Sequence, residues 1–144
     1  MFDKDLETRL DIWRSLRKKV DAYDDPLQLV WDHFRGAPFT PYNNKIDHYD
    51  QKSWPTPWEI IAENRYDDFT KSLIIGWTLL LTKKYCDSAI LLKTMIDIDK
   101  NSEYNLVYVD NFWVINYSDF GPTTVDSIPD SFIVENLIEL KAPR

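Results

Sequence analysis

The apolar positions of this chain follow two periods. In the first half they recur at three- and four-residue steps, and in the second half they alternate. Leu6, Leu10, Trp13, Leu16 and Val20 predict an amphipathic helix over 4–23. Asp24-Asp25-Pro26 then restarts a helix, with Asp25 as N-cap and Pro26 at the first position. Leu27, Val30, Trp31 and Phe34 form its stripe, and Gly36 is expected to stop it. The segment 37–53 has Pro38, Pro41 and Asn43-Asn44 and reads as a loop. Seventeen residues is long for a bare connection, so it is either packed down by Phe39, Tyr42 and Tyr49 or functional.

Thr56-Pro57-Trp58-Glu59 is a helix start: a T-x-x-E capping box with proline at the first helical position. Asn64 can end that short helix in a left-handed conformation. Asp67 and Asp68 open the next one, where carboxylates suit the positive end of the helix dipole. Its run Leu73 to Leu81 is apolar nearly all round, which predicts a buried central helix over 67–85. Beyond it, 89–98 alternates, with Ile90, Leu92, Thr94, Ile96 and Ile98 on one face. Strands at 104–109 and 112–117 follow, joined by a tight hairpin turn at Asp110-Asn111. Gly121-Pro122 marks a loop. A last strand covers 132–140, with Phe132, Val134, Asn136, Ile138 and Leu140 on one face, although Pro129-Asp130 also fits a helix start. Helices followed by strands imply an α+β fold, with N-terminal helices and a buried central helix packed on an antiparallel meander. The expectation is one domain over 1–144. It opens with a helical part (1–36) and ends with a C-terminal loop and strand (120–144).

Composition narrows the function. Apolar residues make up 44% and charged residues 28%, ordinary for a globular protein. Aromatics at 15%, including six Trp, supply either an aromatic-rich core or an aromatic-lined groove for a peptide or sugar. The net charge of −7 argues against a binder of nucleic-acid phosphates, which needs a basic face. A single cysteine, Cys86, excludes an intrachain disulfide framework and points to a reducing, cytoplasmic setting. The acidic start MFDKDLETRL lacks the apolar core of a signal peptide, and the longest apolar run is far too short to span a bilayer. No cofactor motif is present; the three glycines form no phosphate loop.

The stretch Trp54 to Phe69, WPTPWEIIAENRYDDF, resembles the transglutaminase-like superfamily, in particular its bacterial cysteine-peptidase type. There a W-x-[ST]-P-x-E-x-[IL] segment precedes G-D-C-[DE]-D-[FY]-A, whose cysteine starts the central helix. Trp54, Thr56, Pro57, Glu59 and Ile61 match the first segment, and Asp67, Asp68 and Phe69 match the end of the second. The cysteine position reads Tyr66, the Gly-Asp before it Asn64-Arg65, and the alanine Thr70. The resemblance extends to the strands, where the family's H-x-V-x-V and W-x-[LV]-D place the histidine at Asn105 and the aspartate at Asn116. It covers roughly 46–119 and implies a cysteine-proteinase-like core without its triad.

That mechanism needs a thiolate, a histidine base and an orienting carboxylate. Tyr66, Asn105 and Asn116 supply none of them, and no histidine occurs after His48. Cys86 is expected near the far end of the central helix, the wrong end to activate a thiol. His33 reads as a boundary residue of its helix. His48, in Asp47-His48-Tyr49-Asp50, is weak grounds for a metal site. The resemblance therefore implies a pseudoenzyme. Its former cleft, lined by Trp54, Trp58, Tyr66, Asp67, Asn105 and Asn116, would bind a protein or peptide or be filled by Tyr66. A structural or assembly component acting as an oligomer, of the kind found among phage proteins, and a hydrolase with relocated catalytic residues are the alternatives.

Overall fold

Eleven of the thirteen residues of one helix are buried, and the other elements are laid around it. The computed structural model describes residues 1–41 and 46–143. Its order is α1 (Leu6–Ala22), α2 (Pro26–Phe34), a 3-10 turn (Gln51–Ser53), α3 (Pro57–Glu63), α4 (Asp68–Leu80), then β1 (Ile90–Asp97), β2 (Ser102–Val109), β3 (Trp113–Ser118), β4 (Gly121–Thr124) and β5 (Phe132–Glu139). The strands form one antiparallel sheet in the order β4-β3-β2-β1-β5. The α+β class is as expected. The meander holds for four strands, and β5 returns to the far edge beside β1.

The buried helix is α4. One side rests on β1 and β2, and the others face α1, α2 and α3. Its contact with the sheet is close enough that Gly76 has no room for a side chain: a Cβ there would lie 2.6 Å from Leu140 Cδ2 and 3.3 Å from Ile90 Cγ2. The outer face of the sheet carries a second, smaller core of Met95, Leu106, Tyr108, Val114 and Phe132.

Local signals were accurate where side chains cap backbone. The Thr56–Glu59 capping box forms, with Pro57 in the first turn and Asn64 left-handed at φ 56°. Asp110 and Asn111 both have positive φ, as a two-residue hairpin of the primed type requires. Gly36 does not take the left-handed conformation that would stop α2. There the last turn tightens instead, with the Ala37 N–H bonded to Phe34 O.

Five other expectations are corrected. The central helix ends at Leu80 rather than 85. Thr82 donates to Leu79 O and accepts from the Tyr85 N–H, while the Asp21 carboxylate takes the N–H groups of Lys83 and Lys84, so the chain turns. Cys86 consequently sits exposed in irregular structure beyond the helix. The 37–53 loop is not packed down by Phe39 and Tyr49, which are exposed. Ile46 is buried, and His48 stacks on Phe69 at 4.0 Å. Tyr42 and Asn43-Asn44 lie outside the described residues. In the last strand a bulge skips Glu135, so Phe132 and Val134 pair on the outer face while Asn136, Ile138 and Leu140 pair on the helix side. In β1 the helix-side face is closed only as far as Thr94; Ile98 lies past the strand and is exposed. Gly121-Pro122, read as a loop, begins the short strand β4, where Gly121 has φ 133° and lies against the Gln28 side chain.

The N-terminal arm closes over α2. His33 lies between the rings of Phe2 and Phe34, with Nε2 3.2 Å from Met1 Sδ. Burial lowers its pKa to about 4, helped by the positive charges of the Met1 amine and Lys19. The unfolded chain therefore binds this proton more readily. Stability from the neutral imidazole is intact above about pH 6.5 and is lost as pH falls toward 4. An acid titration of the melting temperature checks this. Wild type should lose up to about 3 kcal/mol across that window, and His33→Leu should flatten that part of the curve.

Candidate functional site

The first turn of α4 meets β1, β2 and β3 through a polar cluster that runs from the exposed Asp68 and partly buried Asn116 to the buried Ser72, Thr94 and Asn105. Asp67 is the N-cap, and its side chain accepts from the Thr70 N–H at 2.7 Å. Asp68, one residue on, points at β2: its Oδ2 accepts from both the backbone N–H and the side-chain amide of Asn105, each at 3.2 Å. Thr94 of β1 donates to Asn105 Oδ1 at 2.9 Å, across a directly paired position of the ladder. Ser72, one turn further along α4, donates to Asn105 O at 2.7 Å.

Asn116 completes the cluster. Backbone pairing between β2 and β3 runs only through Tyr108–Val114 and Val109–Trp113. Below that point the Asn116 side chain takes the place of a ladder rung. Its Oδ1 accepts from the Val107 N–H at 2.9 Å, and its Nδ2 donates to Asn105 O at 2.9 Å and to Ser72 Oγ at 3.1 Å. A side-chain amide has one acceptor and two donors in fixed geometry, so it can stand in for a peptide group. The cluster joins three strands to the helix, with its polar groups bonded to one another.

The six expected cleft residues divide. Asn105 and Asn116 come together, and Asp67 neighbours their partner Asp68. Tyr66 is fully buried and meets Phe2 edge-on at 5.7 Å. Its backbone pairs with Phe39, through Tyr66 N–H to Pro38 O and Thr40 N–H to Tyr66 O. The Tyr66 hydroxyl has no hydrogen-bond partner among the described residues, and burial pushes its pKa up. Trp58 is half-exposed and packs edge-on on Trp13. Trp54 donates to Asp47 O and packs on Phe69 and Trp77. Trp54 and Trp77 line a groove of about 250 Å³ with Lys52, Pro55 and Lys141. Tyr66, Asp67 and Asn105 are thus interior groups rather than the walls of an open cleft.

Asp68, Ser72 and Thr94 were missed as members of the site. A signal existed: Thr94 falls on the alternating apolar face of 89–98 and Ser72 borders the apolar run Leu73 to Leu81, and polar residues at such positions need a buried partner. The partners themselves are set by strand register, which no local pattern reveals. Among the described residues no group of three His, Cys, Asp or Glu side chains is placed to hold a metal. Asp47 and Asp50 accept instead from the N–H groups of Tyr49 and Lys52.

Two substitutions separate these roles. Asn116→Ala leaves the Val107 N–H buried without an acceptor and should cost about 2–3 kcal/mol in a denaturant melt. Tyr66→Phe removes a hydroxyl that has no hydrogen-bond partner among the described residues and should leave stability unchanged or raise it by up to about 1 kcal/mol. In comparisons with known proteins, no family model matches the chain and no curated protein matches its sequence.

Proposed function

We propose that this chain is a non-catalytic binding domain built on a transglutaminase-like core, acting on a protein or peptide partner. The reading is carried by the bonding of Asn105 and Asn116. They lie beside the first turns of a buried helix, where the transglutaminase-like resemblance places a base and its orienting carboxylate. Both are neutral amides, and both hold backbone and helix rather than face a reactant. An amide cannot take a proton from a nucleophile near neutral pH, and general-base catalysis requires a group that can. Tyr66, at the family's nucleophile position, is an interior packing residue whose raised pKa opposes a phenolate.

Binding is favoured by what the surface displays. Phe120, Phe39, Tyr49 and Phe112 are all more than half exposed. Where exposed apolar side chains adjoin, they form the kind of patch that marks a contact site. The reading of an oligomeric assembly component draws on the same residues, and sedimentation of the purified chain separates the two.

Turnover assays test the non-catalytic half. With peptide, ester and glutaminyl substrates at neutral pH, no hydrolysis or acyl transfer above buffer is expected. Rapid stoichiometric labelling of Cys86 by a peptidyl acylating probe, with turnover lost in Cys86→Ser, would establish a relocated nucleophile and sink the proposal.

A further inference from the structure

The groove of about 250 Å³ lies between the entry to α3 and the segment that follows β5. Trp77 and Leu140 are its buried lining, and Trp54 and Pro55 are partly exposed. The two indole rings stand at 70° to each other with 6.4 Å between centroids. Each is held through its N–H, Trp77 by Lys141 O at 3.0 Å and Trp54 by Asp47 O at 2.9 Å. An indole has no second donor, so these rings offer a ligand apolar surface only. Rings already fixed in place lose little freedom when something binds them.

The charged side chains that line the groove are Lys52, from the 3-10 turn, and Lys141. Among the described residues no Asp or Glu lines it, although the protein carries a net charge of −7. Nearby carboxylates are engaged on backbone: Asp50 accepts from the Lys52 N–H and Glu59 from the Thr56 N–H. Glu139 pairs with Lys141 at 3.4 Å, but both side chains are mostly exposed, and such pairs are weak. The Lys52 ammonium has no ion-pair partner among the described residues. A small apolar hollow with a free ammonium at its margin suits a ligand that joins an apolar body to a carboxylate.

Size decides what form that ligand takes. A cavity of roughly 150 Å³ holds a benzene, so this groove admits one large apolar side chain with a carboxylate, and little more. Within a peptide those two groups come from different residues. At a carboxyl terminus one residue carries both. The groove is open along one side and smaller than the sites of about 300–1,000 Å³ that enclose small molecules, so the rest of a chain can lead away from it. We propose that this groove takes the carboxyl-terminal residue of a partner protein. Its apolar side chain lies against Trp54 and Trp77, and its carboxylate pairs with Lys52, with Lys141 as a secondary cation. This rests on the binding reading above and names its site and the part of the partner that is recognised.

The test titrates N-acetylated glycyl-glycyl-phenylalanine, with a free carboxyl terminus, into the intact chain and follows the six indole N–H signals by NMR. The Trp54 and Trp77 signals should shift. The same peptide as its carboxamide should bind about tenfold more weakly, and so should acetylated triglycine, which keeps the carboxylate and lacks the ring. Lys52→Met should weaken binding about three- to fivefold, and Lys141→Met less, because Lys141 is shared with Glu139. Lys52 is exposed, and an unchanged spectrum of the free variant checks that it folds. Equal affinity for acid and amide, no effect of Lys52→Met, shifts confined to the other tryptophans, or no saturable shift would each overturn the inference. So would phenylacetate binding as tightly as the tripeptide, since the occupant would then be a free aromatic acid. An amidated peptide with aspartate after its phenylalanine, if it bound equally well, would replace the chain end by an internal acidic residue and overturn it too. The titration is blind to turnover: hydrolysis or acyl transfer in the substrate assays would sink the non-catalytic reading alone, and failure to bind here would sink this inference alone.

Discussion

A helix that is apolar on every side can roll or slide against its neighbours at little cost, and α4 is such a helix. What fixes it is a small set of polar contacts, buried or partly buried, along its length. Ser72 and Asp68 hold its start to β2, and Asn116 ties the same turn to β3. Thr78, two turns on, accepts from the Trp13 indole of α1 at 2.9 Å and itself donates to Ile74 O. Near the C-terminal end, Trp77 donates to Lys141 O beyond β5. Hydrophobic burial supplies the driving force and does not discriminate among nearly equivalent packings. A buried polar group that loses its partner costs on the order of 1–3 kcal/mol, so these contacts exclude the alternatives.

The N-terminal half depends on that placement. α1 and α2 meet α4 through apolar contacts and the Trp13–Thr78 bond. The Met1–Phe2 arm then packs across α2 and α3, with Asn64 donating to Phe2 O and the Arg9 guanidinium reaching Ile61 O and Ala62 O. Those two carbonyls belong to the last turn of α3, where a cation and its donors offset the negative end of the dipole. Tyr66 fits beneath this arm. A large ring there fills volume that a cysteine would leave empty, and cavities in a packed core are costly. Residue size at position 66 and closure of the arm belong to one packing solution.

Much of the fold was legible because it is written in short-range chemistry. The Thr56 and Asp67 caps, proline at helix starts and the Asp110-Asn111 turn act over a few residues and appeared where their residues stood, whereas Asp25 makes no capping bond at the start of α2 and Gly36 no left-handed stop. Legibility failed where distant groups decide. The end of α4 is set by Asp21, some sixty residues away in sequence, whose carboxylate takes the Lys83 and Lys84 N–H groups. The bulge at Glu135 reverses the facing of half a strand, and alternation cannot reveal it because Val and Ile lie on both sides. At the candidate site, motif register located Asn105 and Asn116 but not the bonds they make. Their role follows from Thr94, Ser72 and Asp68, which come from two other elements.

The chemistry at positions 105 and 116 has a physical logic of its own. A histidine and a carboxylate at these depths would need water or each other to remain charged, because an isolated buried charge is strongly disfavoured. A site that keeps them must stay partly open. An asparagine pair carries no charge to solvate: the two amides bond the Val107 N–H, the Asn105 C=O and the exposed Asp68 carboxylate, from a buried Asn105 to a partly buried Asn116. Exposed apolar positions elsewhere on the surface are under a different constraint, set by solubility and by whatever contacts them.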